Sequence, residues 1–84
     1  MGIKDIISYV KQFEELSEGE KLDLVNFLET NEDEIIIDAE VVAGINYNDY
    51  YNVTVEGPDN FYLVFEKGCD TDHLSLLELD FGNF

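Results

Sequence analysis

Residues 29–40 read ETNEDEIIIDAE and place six carboxylates in twelve positions around the consecutive isoleucines Ile35, Ile36 and Ile37. The isoleucines ask for burial and the acids ask for water. The conflict resolves if the periodicity of the chain changes inside this stretch. From Glu34 onward apolar residues recur at every second position, so Ile35, Ile37, Ala39, Val41 and Ala43 share one side. Glu34, Ile36, Asp38, Glu40 and Val42 share the other. Alternate side chains of a strand point to opposite faces. The stretch is therefore the end of a helix, a loop, and a strand with one acidic side.

Upstream the period is helical. Ile3, Ile6, Ile7, Val10 and Phe13 recur at helical spacing between Lys4, Asp5, Lys11, Gln12 and Glu14, which predicts an amphipathic helix over residues 3–15. Ser17 with Glu20 three residues later is a capping-box arrangement, and Leu16 precedes it as a staple residue. A second helix is expected to follow, with Leu22, Val25 and Leu28 inward and Leu24 and Phe27 flanking. Asn31 would stop it as a left-handed cap. The two helices form a hairpin.

Downstream the period stays at two. Residues 44–49 supply a turn, after which Tyr51, Val53 and Val55 oppose Tyr50, Asn52, Thr54 and Glu56. Gly57-Pro58-Asp59-Asn60 is the strongest turn signal in the chain. A third strand over residues 61–66 and a polar turn over residues 68–72 come next. Finally Ser75, Leu77, Leu79 and Phe81 alternate against Leu74, Leu76, Glu78 and Asp80; a short helix opened by Asp72 is the other reading of this segment. The expected architecture is α+β: one domain, residues 1–84, in which an N-terminal helical hairpin packs on a roughly four-stranded antiparallel sheet. The sheet's other face is left to water. That open face would be acidic, with Asp38, Glu40, Glu56, Glu66, Glu78 and Asp80 drawn from every strand.

Charge sets the partner class. Twenty Asp and Glu stand against four Lys and no Arg, for a net charge of -16. Solubility of a small domain needs a net charge of about 2 to 8, and self-repulsion beyond that works against the compact state. Six Phe and five Tyr argue against a disordered acidic tail. Direct binding to nucleic acid or to an anionic membrane is excluded, because both demand Lys and Arg. A cationic partner is favoured instead. The N-terminal MGIKDIISYVKQF is interrupted by charge and lacks a signal-peptide apolar core, so a cytoplasmic protein is expected.

Reaction chemistry finds little to stand on. Cys69 and His73 are the single Cys and His, and no Arg is present to hold a phosphate or oxyanion. Both read as turn residues rather than as a nucleophile and its base. The segment CDTDH clusters Asp70, Asp72 and His73, but a calcium loop counted from Asp70 would put Ser75 and Phe81 where Gly and Glu are required. Zinc would need four good ligands. An enzyme is therefore not expected, and neither a metal site nor a cofactor.

Same-face strand residues repeat every ~6.7 Å and neighbouring strands lie ~4.8 Å apart. Carboxylates on such a lattice can imitate the regular anionic array of a nucleic-acid backbone. Tyr47, Tyr50, Tyr51 and Tyr62 lie in or beside the strands, and tyrosine is a favoured interface anchor. The expected partner-binding set is Asp38, Glu40, Asp49, Tyr50, Glu56, Glu66, Glu78 and Asp80. In size, charge and α+β character the chain resembles the phage-encoded DNA-mimic inhibitors: uracil-DNA glycosylase inhibitors, antirestriction proteins and anti-CRISPR proteins. The resemblance implies a stoichiometric inhibitor of a basic nucleic-acid-binding protein inside a host cell. The alternative is an immunity protein that neutralises a cationic toxin such as a nuclease.

Overall fold

The computed structural model describes residues 1–44 and 48–81. Helix α1 (Ile3–Val10) and helix α2 (Glu18–Thr30) precede four strands: β1 (Ile36–Val42), β2 (Tyr50–Glu56), β3 (Tyr62–Gly68) and β4 (Leu74–Asp80). The sheet order is β1-β2-β3-β4 with every pair antiparallel, so the α+β fold and the four-stranded antiparallel sheet are as expected.

Helix α1 stops at Val10, short of residue 15. The N–H groups of Gln12 and Phe13 reach back only three residues, to the carbonyls of Tyr9 and Val10, which tightens the turn and ends the helix. Phe13 and Leu16 are nevertheless buried, because the bend folds them onto the core. The expected capping box opens α2: the Ser17 hydroxyl accepts from the Glu20 N–H at 3.2 Å, and the Glu20 carboxylate accepts from the Ser17 N–H at 3.0 Å. The buried stripe of α2 is rotated from the expected one. Leu24, Val25 and Leu28 are buried, Phe27 is half-buried, and Leu22 is 61% exposed. Asn31 ends α2 with φ −110°, not in the left-handed region. Its side-chain amide donates to the Phe27 carbonyl at 2.9 Å and satisfies that helix end directly.

The core lies between the helices and one face of the sheet. Ile6, Val10, Phe13, Leu24 and Leu28 meet Val53 and Val55 from β2 and Phe61, Leu63 and Phe65 at or in β3, all fully or almost fully buried. Aromatic pairs lock the layers, with Phe13 edge-on to Phe65 at 5.4 Å and Phe27 stacked on Phe61 at 4.4 Å. Ile35 and Ile37 pack partly against this cluster, so the inner face of β1 is the expected one. The helices do not reach its far half, where Ala39 is exposed and Val41 is 61% exposed. Between β2 and β3 the turn Gly57-Pro58-Asp59-Asn60 holds Asp59 and Asn60 at φ 58° and 65°, positions that short polar side chains tolerate.

The last segment is a strand, but its simple alternation fails. Phe65 pairs with Leu76 and Val64 with Glu78, which leaves Leu77 as an extra, half-exposed residue in a β-bulge. The bulge flips the phase of the strand. Leu74, Leu76, Leu79 and Phe81 pack toward the core, whereas Ser75, Glu78 and Asp80 sit on the opposite face.

Candidate partner-binding face

Residues directly opposite one another in an antiparallel pair share a face, so the pairing register lays out the side of the sheet away from the helices. One row across the strands is Ile36, Glu56, Tyr62 and Asp80. The next is Asp38, Thr54, Val64 and Glu78, and the third is Glu40, Asn52, Glu66 and Ser75. All six expected face carboxylates therefore lie on one surface. No two of them are direct cross-strand neighbours: a tyrosine, an amide, a hydroxyl or a valine always intervenes. Like charges directly opposite destabilise a pair of strands, and this spacing is how one sheet face holds six acids and still forms.

The remaining expected residues sit less centrally. Tyr50 lies on the same face, paired with Gly68 at the end of the sheet, and is half-buried. Asp49 precedes β2 and is exposed; its carbonyl accepts from the Cys69 N–H at 3.0 Å, so it belongs to the sheet's end rather than to the lattice. Of the other tyrosines, Tyr51 is on the inner side and packs against the core, which corrects its reading as an interface anchor. Tyr47 lies outside the described residues. Tyr62, one of the candidate anchor tyrosines though outside the expected partner-binding set, lies in the face between Glu56 and Asp80. A notch of about 350 Å³ opens beside it, lined by Glu56, Asn60, Glu78 and Asp80. The sequence signal for Tyr62 was its parity with Glu66, four residues along the same strand.

No lysine or arginine lies on this face among the described residues. Lys4 and Lys21 belong to the helices, and Lys11 directly follows α1. Lys67, the single lysine of the strands, pairs with Tyr51 and Leu74 on the helix-facing side. Its ammonium is held by the Thr71 carbonyl at 2.6 Å and the Gly68 carbonyl at 3.2 Å. His73 reaches Glu66, with Nε2 3.4 Å from Oε2, at the face's end. Cys69 is part-exposed and lies in the β3–β4 turn. Among the described residues no three His, Cys, Asp or Glu side chains converge closely enough to hold a metal ion, and no helix is long and apolar enough to cross a membrane.

Glu20, in the first turn of α2 on the helix side of the molecule, has its carboxyl moved from its ordinary value. The Ser17 N–H, and then the Ser17 hydroxyl, hold it below the usual range. That shift belongs to a helix cap and not to a site. No protein-family model matches the chain, and neither a curated protein nor a solved structure matches it.

Proposed function

We propose that this protein is a stoichiometric inhibitor that presents the outer face of its sheet to a basic nucleic-acid-binding protein and occupies the groove meant for nucleic acid. The observation that carries the reading is the segregation of charge: six carboxylates on the face, and no lysine or arginine there among the described residues. The three acidic rows span about 13 Å along the strands. An equal length of duplex axis carries about eight phosphates, so the densities of negative charge are comparable. The edge pairs Asp38–Glu40 and Glu78–Asp80 form two rails three strands apart, about 14 Å, close to the ~12 Å width of a major groove. Thr54, Asn52, Val64 and Tyr62 form a less charged strip between the rails that can bury against the partner. Together with the resemblance to phage DNA mimics, this favours counter-defence in a host cytoplasm, directed at a CRISPR effector or a restriction enzyme.

The test is affinity capture from host lysate with the native protein and with a variant whose six face acids are changed to amides. The captured partner is then challenged with duplex DNA and with RNA over a salt series. Mimicry requires that the native protein and nucleic acid exclude one another. It also requires association that slows steeply with ionic strength and loss of capture by the amide variant. A partner that binds its nucleic acid equally well with the protein already bound would overturn the proposal. Capture of a co-encoded nuclease toxin would assign the same surface to immunity instead.

A further inference from the structure

The two edges of the sheet are treated differently. At the β4 edge the Glu15 carboxylate, from the segment between the helices, accepts the Leu76 N–H at 2.7 Å, and the bulge at Leu77 interrupts the strand. Both are devices that keep a foreign strand from pairing. The β1 edge has neither. Its seven residues run in unbroken register with β2, and no hydrogen bond from any described residue reaches its outward side. In an antiparallel ladder alternate residues of such an edge turn N–H and C=O away from the sheet. The helices also leave its inner flank uncovered at Ala39 and Val41.

A second copy of the chain fits this edge poorly. In the antiparallel register centred on Ala39, Asp38 of one copy lies opposite Glu40 of the other, twice, between chains of net charge -16. A basic strand has the complementary pattern: Lys or Arg at alternate positions would lie beside Asp38 and Glu40 on one side, and small or β-branched residues beside Ala39 and Val41 on the other. A strand added at β1 extends the contact without a break.

We propose that β1 is a docking edge for an extended, basic segment of the partner, which adds as a fifth strand beside Asp38 and Glu40. The partner's basic character rests on the functional reading above; the edge itself does not. The probe is a capped peptide as long as β1 that alternates lysine with valine, titrated into the isotope-labelled protein while amide exchange is followed residue by residue. A control peptide of equal charge carries proline in place of the central valine, since proline cannot donate to a ladder. Alternate β1 amides should slow in exchange by at least about tenfold with the first peptide and not with the second. Changing Asp38→Asn and Glu40→Gln together should weaken the peptide by about twofold to thirtyfold, the range for two cross-strand charge pairs. Equal binding of both peptides without β1 protection would overturn the docking edge and leave the mimic face standing. Protection of β1 in the protein alone, rising with its concentration, would assign the edge to a second copy. If the peptide protects β1 but the captured partner keeps its nucleic acid, the edge stands and mimicry falls.

Discussion

Changing Asp38 and Asp80 to Asn and Glu40, Glu56, Glu66 and Glu78 to Gln should stabilise the fold, by an amount that the register allows to be worked out. Asp38–Glu40 and Glu78–Asp80 are neighbours along one strand, and their repulsion persists in the unfolded chain, so it drops out of the difference. Four contacts exist only in the sheet. Asp38–Glu56 and Glu66–Glu78 are diagonal neighbours about 7.5 Å apart, and Glu40–Glu66 and Glu56–Asp80 lie two strands apart at about 9.6 Å. In a dielectric of water each diagonal is worth about 0.55 kcal/mol and each wider pair about 0.43. Their total of about 2 kcal/mol falls to about 1.5 at 10 mM salt and to about 0.7 at 0.15 M, where the screening length is about 8 Å. The exposed Glu66–His73 pair lost with them is worth little. Urea melts of both proteins at the two salt concentrations measure the gap directly. A variant less stable than the parent, or a gap unchanged by salt, would mean that these carboxylates hold the sheet together rather than strain it.

Leu24→Ala should cost about 2 to 5 kcal/mol and Leu22→Gln within about 0.5 kcal/mol, because the first is fully buried and the second faces water; chemical denaturation of the two variants checks the rotated face of α2. Glu15→Ala should speed exchange of the Leu76 amide and cost on the order of 1 kcal/mol, since it removes a charge-assisted bond that also guards the β4 edge. Glu20 is held below its ordinary value in the folded state, so its contribution is complete above the unfolded value and is lost as pH falls through the folded one. Glu20→Ala should therefore weaken the protein at neutral pH and show a shallower loss below about pH 4 in acid titrations followed by circular dichroism. Thr54→Lys, which sets an ammonium directly opposite Asp38, should raise stability by about 0.2 to 1 kcal/mol in thermal melts while weakening partner capture.

The sheet was legible because β2 and β3 bury one face and β1 and β4 turn apolar residues to the same side, and a period of two then assigns most side chains. That is why the parity of Asp38, Glu56 and Glu66 in the sequence already placed them together. The helices were less legible where a backbone detail outweighed periodicity. Phe13 is at helical spacing from Val10, yet it reaches the core through a tight turn. On α2 five apolar positions compete for a narrow stripe, and contact with the sheet selects Leu24 over Leu22. The adjacent pair Leu76-Leu77 breaks the alternation of β4, and the structure accommodates it with a bulge. Without the bulge, Leu76 and Leu79 could not both pack toward the core while Glu78 stays on the outer face. Two features had no sequence signal at all. Glu15 meets Leu76 across sixty-one positions, and the uncovered flank of β1 depends on where the helices happen to end.

In the reading proposed above, the face is more than surplus charge left on the surface. Stability of a domain this size is about 4 to 13 kcal/mol in all, so an electrostatic strain of about 0.7 to 1.5 kcal/mol is a sizeable share of it. Relief was available at the positions between the acids: a lysine at Asn52, Thr54 or Val64 would turn repulsion into opposite-charge cross-strand pairs. These positions instead hold an amide, a hydroxyl and a methyl pair. Lys67, the one lysine in the strands, has the opposite parity and ties down a turn on the other side. Solubility alone would be served as well by mixed charges, and folding would be served better. A face with no lysine or arginine among the described residues, at phosphate-like density and on a rigid lattice, is complementary to cations supplied by another molecule.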